Sequence, residues 1–182
     1  MARRRVVDLV FLDEFGANTK MQRTHGRAAP GQRVVARVPH GHYKAISTIA
    51  ALSTRGIIAS TSFDGGTTAA RFVEFVGDEL LPALRKGQVL VLDNLAAHND
   101  RRVDALVASA GCKVMRLPPY SPDFNPIENA ISKVKTMLRK LAHRTVPGLL
   151  GGIAQALRTV TPGDAKGFIQ NCGYATKRRK PL

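Results

Sequence analysis

Residues 88–119 read QVLVLDNLAAHNDRRVDALVASAGCKVMRLPP. Two short β-rich apolar runs, 88–94 and 113–119, enclose a polar connection and a helix-like segment that stops at Gly111. A strand, a helix and a second strand in this order predict a parallel pair joined by a crossover. Because further strands and helices alternate on either side, the stretch predicts an α/β domain.

The strands predicted before this unit form an antiparallel meander. VVDLVFLDE (6–14) is nearly continuous in apolar residues, which is typical of a central buried strand. YKAISTIAALS (43–53) and GIIASTSFD (56–64) are predicted strands joined by a tight turn. The polar segment between residues 15 and 41 predicts a long connection that contains a short strand at Gln32–Val38.

Helices are predicted after each of the later strands. Residues 67–87 form one, capped by Thr67 or Thr68 and interrupted near Pro82. The segment 125–144 forms the longest, because its apolar residues recur every four or three positions on one stripe: Ile127, Ile131, Val134, Leu138 and Leu141. Weaker helices follow in 146–160 and 161–174. We expect one domain of 182 residues, with a core of about 6–145 and a basic helical C-terminal extension over 146–182.

The charge balance indicates a polyanionic partner. Lysine and arginine total 28 against 13 acidic residues, a formal net charge of +15 with a pI near 10.8. Such an excess attracts nucleic acid, and the basic ends Arg3–Arg5 and Lys177–Lys180 add to it without sequence preference. No apolar run reaches the ~18 residues of a membrane helix, so no membrane partner is expected. The two cysteines fit neither a metal motif nor a disulfide framework, which favours a reducing cytoplasm.

Three of the few acidic residues stand at comparable places. Asp13 and Asp93 each follow an apolar run, and Glu128 lies in the first turn of the helix after a third strand. The carboxyl ends of parallel strands meet at one edge of a sheet, where ligands bind. Three carboxylates at that edge repel one another unless a cation lies between them. Hard cations such as Mg²⁺ take oxygen ligands. The pattern predicts a divalent-metal site suited to phosphodiester cleavage.

Two of the three acids, Asp93 and Glu128, also have a structural interpretation. Asp93 before Asn94 is typical of a turn start. Asn125 as N-cap, Pro126 at the first helical position and Glu128 at the third match a capping arrangement, in which the glutamate bonds back to the cap backbone. The two interpretations are compatible, since a rigid helix start also holds a metal ligand in place.

Three motifs carry a family resemblance. FLDE (11–14), VLDNLAAH (91–98) and LPPYSPDFNPIEN (117–129) resemble the catalytic domain of mariner-type DDE transposases, in the bacterial insertion-sequence branch. The proline-rich motif is specific, whereas the two aspartate motifs are weak alone. The 34 residues between Asp93 and Glu128 are typical of that superfamily. The similarity extends from about Val6 to about Leu141.

The resemblance implies fold, activity and cofactor together. It implies a ribonuclease H-like fold, a mixed five-stranded sheet flanked by helices. It implies cutting of transposon ends and joining of the 3′-hydroxyl to target DNA, with two Mg²⁺ or Mn²⁺ ions. By motif match, the catalytic and metal-binding acids are Asp13, Asp93 and Glu128.

The resemblance also bears on partners. Members carry a helix-turn-helix module before the catalytic domain, and only 12 residues precede Asp13 here. We therefore expect that module to be absent, and a separate DNA-binding protein from an upstream reading frame to be a possible partner. Family members generally act as dimers on paired ends, so a homodimer is a second possible partner. The expected location is the bacterial cytoplasm, in association with the nucleoid.

Four further residues are candidates for nucleic-acid binding. Lys135 and Arg139 share a helix face with Glu128, although a solvated basic face explains either residue alone. Asn94 and His98 follow Asp93 closely, although a histidine there also suits a loop cap. Two other functions stay open: a ribonuclease H-type nuclease with the same acids, and a decayed, non-catalytic DNA-binding remnant.

Overall fold

Five strands form one mixed sheet in the described part of the chain. The structure is a computed structural model that describes residues 6–93, 100–119 and 121–174. The strands are β1 (Leu9–Asn18), β2 (Ala45–Ser53), β3 (Gly56–Asp64), β4 (Val89–Leu92) and β5 (Lys113–Arg116). Their order across the sheet is β3-β2-β1-β4-β5, with β1, β2 and β3 antiparallel and β4 and β5 parallel to β1. The predicted meander and the predicted parallel crossover are both confirmed.

The principal helices are α1 (Ala69–Phe75), α2 (Arg101–Ser109), α3 (Pro126–Leu141), α4 (Val146–Arg158) and α5 (Pro162–Asn171). Thr68 caps α1 by accepting a hydrogen bond from the Arg71 N–H, as predicted. A π-turn at Val76–Leu80 and a 3₁₀ turn at Leu81–Ala83 continue α1, so the predicted break near Pro82 is confirmed. No helix in the described residues is both long and apolar enough to cross a membrane.

The sheet lies between two helical layers because side chains alternate along each strand. Odd-numbered β1 residues such as Leu9 and Phe11 pack in a core with α3, α4 and α5. Even-numbered residues such as Val10 and Leu12 pack in a second core with α1 and α2. Central strands buried on both faces explain the continuous apolar runs of the sequence. A mixed five-stranded sheet flanked by helices is the fold class that the family resemblance implies.

The predicted C-terminal extension contributes to the main core as far as it is described. Leu149 and Ile153 of α4 and Ile169 of α5 are almost fully buried in the cluster that contains α3. Lys133 of α3 also donates to the Asp164 carboxylate at the start of α5, at 2.6 Å. Residues 146–171 are therefore packed as part of the domain.

Two sequence predictions about strands are wrong. β1 does not end near residue 14 but continues to Asn18, because β2 pairs with it as far as Ala45. The predicted strand at Gln32–Val38 does not form. Val35 is 84% exposed there, and apolar β-formers without a neighbouring strand have no surface to pack on.

Candidate active site

Asp13 lies beyond the last residue of β1 that pairs with β4, in the part of β1 that pairs only with β2. The parallel pairing with β4 runs from Leu9 opposite Val89 to Phe11 opposite Val91. Asp13 remains paired with Ala50 of β2 on its other side. It therefore occupies the interior of β1 at the carboxyl end of β4, and the expectation that it ends its strand is corrected.

The Asp13 carboxylate is buried and accepts a hydrogen bond at each of its oxygens. It is 6% exposed. Its Oδ1 accepts from the Glu14 backbone N–H at 2.7 Å, and its Oδ2 accepts from the Asn125 Nδ2 at 2.8 Å. Hydrogen bonds to an ionised group are stronger than neutral ones, so the carboxylate has a fixed orientation. Glu14, as predicted, falls on the opposite face of the strand, with Leu12.

Asp93 directly follows β4 and is half-buried. Asp93 lies four residues beyond Val89, and Asp13 lies four residues beyond Leu9. Leu9 and Val89 are paired with each other. Extending this parallel register by two residues sets both aspartates at the same level and on the α3 face of the sheet. By this extrapolation, the two aspartates follow the last paired residues of neighbouring parallel strands, Phe11 and Val91.

Glu128 lies in the first turn of α3 and is exposed. Three residues before it, Asn125 bonds to Asp13, which ties the start of α3 to the centre of the sheet. The predicted capping arrangement is wrong in one part: Asn125 makes no side-chain cap bond, and its amide instead points to Asp13. Asn125 occupies the N-cap position by backbone geometry alone.

Asn125 is the site residue that sequence reasoning missed. It is 3% exposed, and its Oδ1 has no hydrogen-bond partner within the described residues. A buried acceptor without a partner costs about 1–3 kcal/mol. The signal in the sequence was the stiff PDFNP approach, which was interpreted as a helix cap only.

The donor atoms suit a hard cation. The candidate donors are all oxygen atoms, which Mg²⁺ and Mn²⁺ prefer as ligands. They are the carboxylates of Asp13, Asp93 and Glu128 and the Asn125 Oδ1, which has no partner within the described residues. Within the described residues, no group of three His, Cys, Asp or Glu side chains is arranged to hold a metal. Asp13, Asp93 and Glu128 therefore form no preformed three-acid cluster within the described residues, and their joint role stays a prediction.

The four candidate nucleic-acid residues divide into two pairs. Lys135 and Arg139 are half-buried and line one cleft together with the end of β1. Asn94 and His98 lie outside the described residues. The basic ends Arg3–Arg5 and Lys177–Lys180 also lie outside them.

A family comparison decides the class of protein. Residues 8–149 match the model of the family described as DDE superfamily endonuclease. The chain belongs to the DDE superfamily endonucleases. The predicted family is confirmed at this level, and the bacterial insertion-sequence branch stays a prediction. Among curated proteins, the sequence of this DDE endonuclease has no match.

Solved structures confirm the fold. The Mos1 mariner paired-end complex with Mn matches this DDE endonuclease with a TM-score of 0.71 at 18% identity, over 92% of this chain and 53% of that one. The catalytic domain of Mos1 mariner transposase matches with a TM-score of 0.55 at 16% identity, over 94% and 85%. A simian T-cell lymphotropic virus intasome in complex with PP2A regulatory subunit B56 gamma matches with a TM-score of 0.58 at 15% identity, over 86% and 50%. The fold is therefore the ribonuclease H-like fold of the Mos1 catalytic domain, and the chain spans about half the length of the Mos1 chains in those complexes.

Proposed function

We propose that this DDE endonuclease is the catalytic domain of a DNA transposase, which cuts transposon ends and joins them to target DNA. The observation that supports the proposal is the 2.8 Å bond from Asn125 to Asp13, because it ties the start of the helix that carries Glu128 to the strand that carries Asp13. Family membership and the likeness to Mos1 paired-end and strand-transfer complexes support it. Its place of action would be the bacterial cytoplasm, at the nucleoid.

The two reactions need the same groups. Cleavage breaks the P–O3′ bond: water supplies an oxygen to phosphorus and a proton to the departing 3′ oxygen. Joining is a transesterification, in which that 3′ oxygen attacks a phosphorus of the target and displaces the target's own 3′ oxygen. One phosphodiester bond replaces another, so joining needs no external energy source.

Asp13, Asp93 and Glu128 would hold the divalent ions, with Asn125 Oδ1 as a further oxygen donor. When bound, Mg²⁺ or Mn²⁺ lowers the pKa of a coordinated water and stabilises charge on the leaving oxygen. Mos1 complexes with Mn and with Mg are among the solved structures that match the fold. The chain's own contribution is orientation, since the Glu14 N–H and Asn125 fix the Asp13 carboxylate on both of its oxygens.

The excess of positive charge serves the substrate. Acids alone repel DNA, whereas a chain with a formal charge of +15 attracts it. Lys135 and Arg139 lie seven and eleven residues after Glu128 on the same helix, so they would contact phosphates near the cut.

A cleavage assay tests the proposal. A labelled duplex carrying the terminal repeat is incubated with Mg²⁺ and wild-type protein, Asp13→Asn, Asp93→Asn or Glu128→Gln. We expect the wild type to cut and each variant to lose at least about 10³-fold in rate, because several kcal/mol of metal-dependent stabilisation is removed at tenfold per 1.36 kcal/mol. Glu14→Gln, on the opposite face of β1, is the matched control and should retain activity.

The outcomes separate the alternatives. Equal behaviour of wild type and Asp93→Asn refutes the catalytic role and favours a DNA-binding remnant. Cleavage of RNA–DNA hybrids without strand transfer refutes the transposase assignment and favours a ribonuclease H-type nuclease. A joined product with target DNA, formed by the wild type only, supports the proposal.

A further inference from the structure

A cleft of about 440 Å³ separates the end of β1 from the middle of α3. Its lining includes three cations and three neutral polar side chains: Asn18, Lys20, Gln22, Thr24, Lys135 and Arg139. None of its lining residues is acidic and none is aromatic. Such a surface suits the phosphates of a nucleic-acid backbone and offers no ring on which a base would stack.

The wall contributed by the chain after β1 is fixed by hydrogen bonds. Arg144 Nη1 donates to the carbonyl oxygens of both Thr19 and Met21, at 2.9 Å each. The Lys20 N–H donates to Asn18 Oδ1 at 2.9 Å, and the Lys20 ammonium lies 5.0 Å from the centre of the Tyr43 ring. The backbone of this wall is therefore fixed, and the Lys20 side chain is restrained by the Tyr43 ring, before any ligand arrives, which lowers the entropy cost of binding.

The cleft is aligned with the candidate active site. Asn125 at the start of α3 contacts Asp13, and further along the same two elements Lys135 and Arg139 face the β1 end at Gly16 and Asn18. At about 1.5 Å per helical residue, Lys135 lies roughly 10 Å and Arg139 roughly 16 Å beyond Glu128 along the axis. At about 3.4 Å per residue, Asn18 lies roughly 17 Å beyond Asp13 along the strand.

These distances convert to nucleotides. Successive phosphates of one strand advance by about 3.4 Å along the axis of a DNA duplex. A displacement of 10–17 Å therefore corresponds to about three to five nucleotides.

We propose that this cleft binds the DNA backbone three to five nucleotides from the scissile phosphate, with Lys20, Lys135 and Arg139 as its phosphate contacts. The proposal rests on the proposed function for its position relative to the cut. It adds Lys20 and the segment after β1, to which sequence analysis gave no role. Phosphates bound in the cleft fix the position of the DNA and thereby determine which phosphodiester bond reaches the acids.

The first test is the salt dependence of DNA affinity, measured without divalent metal so that no cleavage is needed. The probe is a fluorescent 30-base-pair duplex of mixed sequence, titrated between 0.05 and 0.3 M KCl. Each phosphate contact contributes about 0.9 to the slope of log K against log salt. The variant Lys20→Gln/Lys135→Gln/Arg139→Gln should therefore lose about 2.7 from that slope.

The matched control removes the same charge elsewhere. Lys86, Lys113 and Lys140 are exposed and do not line the cleft. The triple glutamine variant at these positions should change the slope by less than about one contact, or 0.9. Equal slopes for the two triple variants overturn the proposal. Melting curves verify that both are folded.

The second test places the contact. A series of duplexes, each ending at a pre-cut 3′ terminus, is prepared. Each duplex carries uncharged methylphosphonate linkages at a different distance from that terminus. Linkages three to five nucleotides from the terminus should weaken binding by the wild type and leave the cleft variant unaffected, whereas linkages elsewhere affect both alike. The same response at every position, or competition by millimolar inorganic phosphate that abolishes the difference, overturns the assignment to a DNA backbone. If the protein cuts no DNA at all, the proposed function fails while the salt slope still reports on the cleft.

Discussion

Asn125 combines a bonded donor and an acceptor without a partner in one buried side chain. Its amide nitrogen donates to Asp13, which connects α3 to β1, and its Oδ1 is left without a partner within the described residues. A folded protein tolerates such an unpaired acceptor where function requires it. A divalent ion beside Asp13 would give that oxygen a partner.

Asn125→Asp tests this environment. The change removes a hydrogen bond to a charged group and sets a second carboxylate beside the buried Asp13, so we expect destabilisation by about 2 kcal/mol or more in EDTA. For a chain of this size that corresponds to a fall in Tm of roughly 4–8 °C. Because the added charge improves the cation site, 10 mM Mg²⁺ should raise the Tm of the variant by more than that of the wild type.

Asn129→Asp is the control for this experiment. It adds the same charge one turn further along α3 at an exposed position, so its stability should stay within about 0.5 kcal/mol of wild type. A Mg²⁺ response of Asn125→Asp no larger than that of Asn129→Asp would show that the oxygen at position 125 does not face a cation site.

At this scale the sequence located the acids but not their support. Asp13, Asp93 and Glu128 stood out because acids are rare, because each aspartate follows an apolar run, and because Glu128 lies in the first turn of a predicted helix. The Asn125–Asp13 contact joins residues 112 positions apart, and no local pattern encodes such a pair. Asn125 also satisfied every local rule for an N-cap, so propensity gave a complete and wrong account of its side chain.

Among the elements, α3 determines the position of Glu128, and α5 fixes α3. Lys133 Nζ donates to Asp164 Oδ2 at 2.6 Å and to the Thr159 carbonyl at 2.8 Å. Asp164 also closes a capping box with Thr161 at the start of α5. Hydrogen bonds from Lys133 and then Thr161 lower the pKa of Asp164 to about 2.

This lowered pKa predicts a pH dependence for Asp164→Asn. A carboxyl group whose pKa is lower in the folded state contributes stability above its unfolded pKa and loses it as the pH falls. The Tm difference between wild type and variant should therefore be constant from pH 8 to about 5, narrow below about pH 4, and vanish near pH 2. Thermal melts across this range measure it. A difference that is already lost at pH 6 would contradict the assigned contacts.

The elements were predictable where burial creates a pattern. The stripe of α3 and the apolar runs of β1 and β4 were recovered because both cores impose their periodicity on the sequence. The wrong predictions concern segments whose structure depends on whether a neighbouring strand pairs with them. β1 extends to Asn18 because β2 pairs with it, and Gln32–Val38 stays irregular because no strand lies beside it within the described residues.

At the scale of the whole molecule, the domain joins two opposed charge requirements. In the proposed function, acids at the edge of the sheet bind the metal, and in the proposed cleft along α3 and the end of β1 the cations bind phosphate. The two lie in line on the same pair of elements. A DNA strand that follows this line would place its scissile phosphate at the acids with a defined register.

The most direct measurement of the central claim is a crystal structure of the chain with a cut DNA end and Mn²⁺, with the ions located by anomalous scattering. We predict Mn²⁺ at direct coordination distance, about 2 Å, from carboxylate oxygens of Asp13, Asp93 and Glu128 together. Mn²⁺ found elsewhere, or a Glu128 side chain that turns away from the two aspartates in the presence of both metal and DNA, would contradict the account.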